Sequence, residues 1–308
     1  MMSTTVRRVT MRRVSVSIAV AVALTGVAAC SGSDSDGGSD RGSGGDSKGA
    51  AKAKTRMSPI AALRSVEAST DKADSAKVES TTTMGTMMSM EADGALGWAD
   101  GLTGNLTITY TGGTMADQMR QLGTTSMEAR YLPDAYYAKM GDKFAEQSGG
   151  KHWIKYAYDD LAKLAGGSGA YMKDQMQNTT PNQSVTLLLA SGDVEKVGEE
   201  KVRGESTTHY SGTVEVADLA DKSSNLSAEQ LADLKRQLEQ AGVTTETIDI
   251  WVNDEDLLVK KAEKGELATG SMSSTAYYSD YGVQVSVQEP AAGDTADFKD
   301  LMQTQPTS

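Results

Sequence analysis

From Leu106 onward, apolar and polar side chains exchange places at every second residue in one segment after another, and this period constrains the fold more than any other feature. Leu106, Ile108 and Tyr110 alternate with Thr107 and Thr109, and Tyr136, Ala138 and Met140 alternate with Tyr137 and Lys139. Tyr210, Gly212, Val214 and Val216 alternate with His209, Ser211, Thr213 and Glu215, and Ile248, Ile250 and Val252 repeat the pattern. Asn253-Asp254-Glu255-Asp256 supplies a turn into Leu257-Leu258-Val259-Lys260, and Tyr281, Val283, Val285 and Val287 predict a last strand that stops at Pro290. Successive side chains of a strand point to opposite faces, so each segment predicts one buried and one wet face. Strands of that kind build antiparallel sheets, because parallel sheets are buried on both faces.

Helical periods are fewer. Ser58 can cap a helix whose first turn tolerates Pro59, and Ile60, Leu63, Val66 and Ala73 recur at near-helical spacing, which predicts a helix over 59–74. Another begins at Ser227, where Gln230 completes a capping box and Leu226 can staple against Leu231. Leu231, Leu234, Leu238 and Ala241 form its stripe and Gly242 ends it. A further helical region spans about 157–190, broken at Gly166-Gly167-Ser168-Gly169 and at Pro181.

The apolar residues are of an unusual kind: 16 Met against two Phe. Methionine is flexible and polarizable and fills irregular apolar spaces that rigid rings cannot, which predicts a methionine-lined core or cavity.

The first 29 residues contain Arg7, Arg8, Arg12 and Arg13, no acidic residue, and the apolar run from Val14 to Leu24. A positive start, an apolar stretch too short to span a bilayer comfortably, and the small residues Val27-Ala28-Ala29 before Cys30 predict a signal peptide over 1–29. The arginine pairs fit a twin-arginine signal less well than a plain positive leader. Cys30 is the one cysteine of 308 residues and resembles the acylated cysteine of a bacterial lipobox. Two acyl chains would hold the protein at a membrane without spanning it, as each buried CH2 contributes about 0.8 kcal/mol. From Ser31 to about Lys54 the chain is nearly all Gly, Ser, Asp, Lys and Ala, too polar to offset its ordering entropy, so residues 30–56 are expected to be the lipidated cysteine and a tether. One domain is expected over 57–300, with 301–308 as a tail. Without the leader, 26 basic residues face 42 acidic ones, a balance that excludes nucleic acid as a partner.

Several phrases then resemble a known group. They are Arg130-Tyr131-Leu132 with Tyr136-Tyr137-Ala138-Lys139-Met140, Lys151-His152-Trp153-Ile154, Val197 to Gly204, Thr207-Thr208-His209-Tyr210, Ile250-Trp251-Val252-Asn253, and Tyr278 to Gly282 with Glu289-Pro290. With the lipobox, the tether and the first helix, the chain resembles the actinobacterial (streptomycete-type) LolA-like lipoproteins near the LppX and LprG type. The resemblance implies an α+β fold, a curved antiparallel half-barrel with helices across its concave face, and an apolar cavity for acyl chains or glycolipid. It implies no catalytic motif.

Only His152 and His209 offer imidazoles, at no spacing typical of metal ligands, and no Gly-x-Ser-x-Gly elbow is present. His209 falls on the polar face of its strand and reads as solvated or tyrosine-packed. Met84, Met87, Met88 and Met90 form a cluster whose thioethers suit Cu(I), yet Met84, Met88 and Met90 would share one face of a strand, as half-buried core residues do. The paired acids Asp159-Asp160 and Glu199-Glu200 and the acidic turn 253–256 read as solvated surface.

No catalytic residue, metal or cofactor is therefore expected. The expected activity is that of a monomeric, membrane-anchored, extracytoplasmic binder or carrier of a lipid-like or glycolipid-like ligand. Met88, Met90, Ile108 and Tyr110 are candidate cavity or core positions. The alternative is a cell-envelope lipoprotein that docks a protein partner or signals without a small ligand; a contiguous cavity of several hundred Å3 distinguishes the two.

Overall fold

The computed structural model describes residues 58–164, 173, 176–177, 180–215, 245–267 and 270–303. The leader, Cys30, the tether, Val216 and the helix expected from Ser227 lie outside the described residues.

The described chain opens with α1 (Pro59–Lys72), where the Ser58 hydroxyl accepts a hydrogen bond from the Ala61 amide at 3.3 Å. Leu63 and Val66 are fully buried, but Ile60 is 36% exposed and is not part of the packed stripe. There follow β1 (Ser75–Met84), β2 (Met88–Gly97), β3 (Thr103–Gly112), α2 (Gly113–Gln121), β4 (Ser126–Tyr131), β5 (Ala135–Lys139), α3 (Asp142–Gln147), β6 (Trp153–Ala157) and α4 (Tyr158–Leu164). The second half contains α5 (Asn182–Ser191), β7 (Val194–Val202), β8 (Glu205–Glu215), β9 (Thr245–Asn253), β10 (Leu258–Leu267), β11 (Gly270–Ser279), β12 (Thr295–Asp297) and α6 (Phe298–Gln303).

The strands form one open sheet in the order β12-β6-β5-β4-β3-β2-β1-β11-β10-β9-β8-β7. Every ladder is antiparallel except β12 against β6. Two meanders, β1 to β6 and β7 to β11, are thus joined along β1 and β11. Those two strands are rich in Ser and Thr, whose branched or small side chains suit a pleated surface. They also bond across the seam, Thr82 Oγ1 to Ser274 Oγ at 3.2 Å.

One face carries the helices and the main core. Leu63 and Val66 of α1 and Val185, Leu187 and Leu188 of α5 pack with Val78, Leu106, Ile108, Ala129, Ile154, Ile248 and Ile250 of the sheet. This α+β architecture, an antiparallel sheet with helices on one face, is the one expected. The shared face of Met84, Met88 and Met90 is also observed, but not on one strand. A turn through Gly85, at φ 49°, divides them between β1 and β2, and the register pairs Met84 with Met88 and Thr82 with Met90.

Two expectations fail for one reason. Tyr281 to Val287 is no strand: Tyr281 lies in a turn and packs against the main core, and Val283 begins an extended strap over 283–291 that joins no ladder and crosses the outer face of β1, β3, β4 and β5. Ser75 Oγ donates to Val283 O at 2.6 Å, Asn105 Nδ2 to Ser286 O at 3.1 Å, and Arg130 Nη1 to Gln288 O at 2.9 Å. Tyr137 and Lys155 both reach the Glu289 carboxylate. The alternation of Val283, Val285 and Val287 therefore marks packing across strands rather than along a ladder. Under this strap β5 is buried on both faces from Ala135 to Ala138, so the predicted wet side of Tyr137 is absent.

Candidate functional site

The candidate site is the helix-bearing face of the sheet around β1, β2, β11, β10 and β9. Register places its side chains in rows that run across the strands. One row reads Met88, Met84, Met272, Gly265, Glu246 and Val214; the next reads Met90, Thr82, Ser274, Glu263, Ile248 and Gly212. Cross-strand neighbours in such rows have Cβ atoms about 4.5–5.5 Å apart, close enough for methionine side chains to interdigitate.

Met84, Met88 and Met272 are buried together, with Met87, Met90, Tyr110 and Met115 packed against them. Of the candidate positions read from sequence, Met88, Met90 and Tyr110 meet in this patch, and Met90 and Tyr110 are direct partners across β2 and β3. Ile108 lies in the adjoining main core. Cys30 is outside the described residues. Met272 and Met115 were not anticipated, because nothing in sequence brings β11 beside β1 or folds α2 back over β2.

The second component is polar and largely buried. Lys261 Nζ donates to Ser184 Oγ at 2.9 Å and to Glu263 Oε1 at 3.0 Å, and the Ser184 hydroxyl donates to the same carboxylate oxygen. Glu246 is 1% exposed and neither of its carboxyl oxygens has a hydrogen-bond partner. Burial, reinforced by the negative charge of Glu263 and opposed by Lys261, pushes the Glu246 carboxyl up to about 9, so it is protonated at neutral pH. Burial alone would pull the Lys261 ammonium down, but Glu263, Tyr278 and Glu246 together hold it above its ordinary value. Lys261 and Glu263 balance one another, and the group as a whole carries no net charge.

A β-bulge creates this cluster. The β9–β10 register shifts between Leu258 and Lys260, so Leu258 and then Lys261, Glu263 and Gly265 face inward, whereas unbroken alternation would send Lys260 and Ala262 there. Glu246 carried a signal that the sequence reading passed over: it has the same parity as Ile248, Ile250 and Val252, all buried.

Neither imidazole belongs to this cluster. His209 stacks on Trp251 with ring centroids 4.2 Å apart, and its Nε2 lies 2.8 Å from Asp249. It is therefore packed on tryptophan rather than on tyrosine, because register pairs β8 His209 with β9 Trp251. His152 pairs with Asp294 at 2.7 Å. Asp159 and Asp160 are engaged by Lys173 and by Lys163 and Lys299. Glu200 accepts from the Trp251 indole. Among the described residues no group of three or more His, Cys, Asp or Glu side chains is arranged to hold a metal ion. No helix among them is long and apolar enough to cross a membrane.

No family model matches the chain. A 31.2 kDa Streptomyces griseus protein from the rplA-rplJ intergenic region is 61% identical over 249 residues, covering 80% of this chain and 82% of that protein. A Streptomyces coelicolor protein named as a candidate lipoprotein is 53% identical, covering 96% of this chain and 98% of the relative. Among solved structures, the lipoprotein LppX of Mycobacterium tuberculosis is 17% identical with a TM-score of 0.46 over 75% of this chain and 98% of its own. LprF from Mycobacterium bovis is 13% identical with a TM-score of 0.46 over 76% and 97%. With more than half of its residues shared along nearly the full length of the Streptomyces coelicolor protein, the chain belongs to this streptomycete lipoprotein family.

Proposed function

We propose that this protein is a non-enzymatic lipoprotein, anchored through Cys30 on the extracytoplasmic side of the cell membrane, that binds or carries a hydrophobic, lipid-like ligand. The observation that carries the reading is the methionine patch on the helix-bearing face, where thioethers from β1, β2, β11 and α2 gather around Tyr110. Thioether side chains adapt their shape to an apolar guest at low cost. Met88, Met90, Ile108 and Tyr110 are its proposed contacts. The leader, the single cysteine and the name of the Streptomyces coelicolor relative support the anchor.

The test has two arms. Cys30→Ser should move the protein from the membrane fraction to the medium; undiminished membrane association would sink the anchor. Native mass spectrometry of the full-length Cys30→Ser protein should show a co-purifying apolar mass that exchanges for an added fluorescent acyl probe. A protein that is always empty and takes up no probe removes the ligand.

A second reading, docking of a protein partner, is favoured by one feature of the outer face. Lys260 lies 3.7 Å from the Trp251 ring centroid and Arg203 lies 3.9 Å from that of Tyr277, a row of cations over aromatics of the kind enriched at interfaces.

A further inference from the structure

We propose that Glu246 is the polar anchor of the ligand site, and that it hydrogen-bonds the hydroxyl or ester oxygen of an uncharged acyl lipid whose chains lie along Met272, Met84 and Met88. This rests on the hydrophobic-ligand reading above and specifies its chemistry.

Three observations lead there. Glu246 is the one carboxyl among the described residues whose buried oxygens both lack a partner, an arrangement that folded proteins rarely leave without a use. Its polar neighbours do not supply the missing bonds: Lys261, Glu263 and Ser184 bond to one another and none of them to Glu246. The row beside it runs directly to the methionines, Glu246 pairing with Gly265 and Gly265 with Met272. Its next member is Gly265, where an added methyl would meet nothing closer than Thr245 O at 3.5 Å and Met272 Cε at 3.7 Å.

The charge of the cluster selects the ligand. Lys261 is already paired with Glu263, so among the described residues the cluster holds no uncommitted cation for a phosphate, and an anionic headgroup would be brought into a desolvated site beside the Glu263 carboxylate. A carboxyl that stays protonated donates one hydrogen bond and accepts another. A hydroxyl or an ester carbonyl answers that pair; a phosphodiester would bring an uncompensated charge into a buried cluster that carries none.

The experiment compares two fluorescent probes with identical acyl chains, a diacylglycerol and a phosphatidylglycerol, titrated into the full-length Cys30→Ser protein, its Glu246→Leu variant and its Glu246→Gln variant. The diacylglycerol should bind the parent more tightly than the phosphatidylglycerol. Glu246→Leu should weaken the diacylglycerol about tenfold, the equivalent of about 1.4 kcal/mol, and leave the phosphatidylglycerol nearly unchanged. Glu246→Gln, whose amide also donates and accepts, should keep most of the preference. Equal binding of the two probes by the parent overturns the anchor while leaving the carrier reading intact, and so does undiminished diacylglycerol binding by Glu246→Leu. Failure of the parent to bind either probe removes the carrier reading itself. If Glu246→Leu does not fold, the decision passes to the parent's preference and to Glu246→Gln.

Discussion

Arg203 grips the Glu79 carboxylate with two hydrogen bonds of 2.9 Å, although the hairpin that carries it, β7–β8, stands at the far edge of the sheet from β1. The tip of the hairpin folds over the outer face: Val202 packs with Trp251, Val259 and Ala262, and the Arg203 guanidinium covers Tyr277. The pair is about half exposed, so solvent screens it. A double-mutant cycle of Arg203→Ala and Glu79→Ala, read by urea unfolding, should give a coupling of about 0.5–1 kcal/mol. Arg203→Ala alone should cost more than Glu79→Ala, because it also uncovers Tyr277. Equal single-variant effects would show that the cation-on-ring contact contributes nothing.

Glu246 predicts a pH dependence of stability. The folded protein keeps a proton up to about pH 9 that an unfolded glutamate gives up near its ordinary value of 4.5. Folding therefore retains the proton, and the contribution is fully present below about pH 4.5 and lost as pH rises toward 9. The groups facing it are Glu263, which strengthens the effect, and Lys261, which weakens it. The slope should approach, at most, about 1.4 kcal/mol per pH unit between those limits. Glu246→Gln should flatten that window in urea midpoints measured near neutral and mildly alkaline pH. A variant with the parent's slope would place the titration elsewhere.

The methionine patch should behave as packed interior when no ligand is present. Met272→Ala removes a side chain that is 5% exposed and touches two strands, and should cost about 2–4 kcal/mol in thermal or urea unfolding. Met272→Leu should cost under about 1.5 kcal/mol in the same assay, since it conserves volume. If both are neutral, the patch is not packed.

Gly94 offers a sharper backbone test. It lies at φ 154° in β2, and an added Cβ would stand 2.0 Å from Asn105 O across the ladder. Gly94→Ala should therefore destabilise the protein by about 2 kcal/mol or more, against the few tenths usual for a solvent-facing change. A melting temperature equal to the parent's would mean that β2 and β3 part there at no cost.

Much of the sheet was legible because its strands announce themselves by period. β3, β8 and β9 follow the alternation of Leu106, Tyr210 and Ile248, and Ser58 with Pro59 marks the start of α1. What escaped has physical causes. β1 and β11 are written in Ser and Thr and hide in a polar composition, although branched threonine suits the seam they form. The bulge at Val259 inverts the parity of β10 and turns Lys261 and Glu263 inward, which the run from Leu257 to Lys260 does not announce. The strap obeys period two without being in a sheet, since alternation reports only that one side of an extended chain is covered. The methionines were conspicuous in sequence, but their meeting with Met272 depends on a ladder between residues 188 positions apart, Met84 and Met272.

The strap also sets the order in which this molecule can be finished. Its bonds tie Val283 to Ser75, 208 residues back along the chain, and Glu289 to Tyr137. A chain made from its N-terminus can collect β1 to β6 early, but the outer face of that half stays uncovered until the strap has appeared. The seam between β1 and β11 waits for residues 270–279, made just before the strap. Until then Tyr137 and Trp153 are exposed on a sheet with unpaired edges, which is the surface a holding chaperone recognises. The molecule is thus a late closer, and its most vulnerable moment falls just before the strap is made.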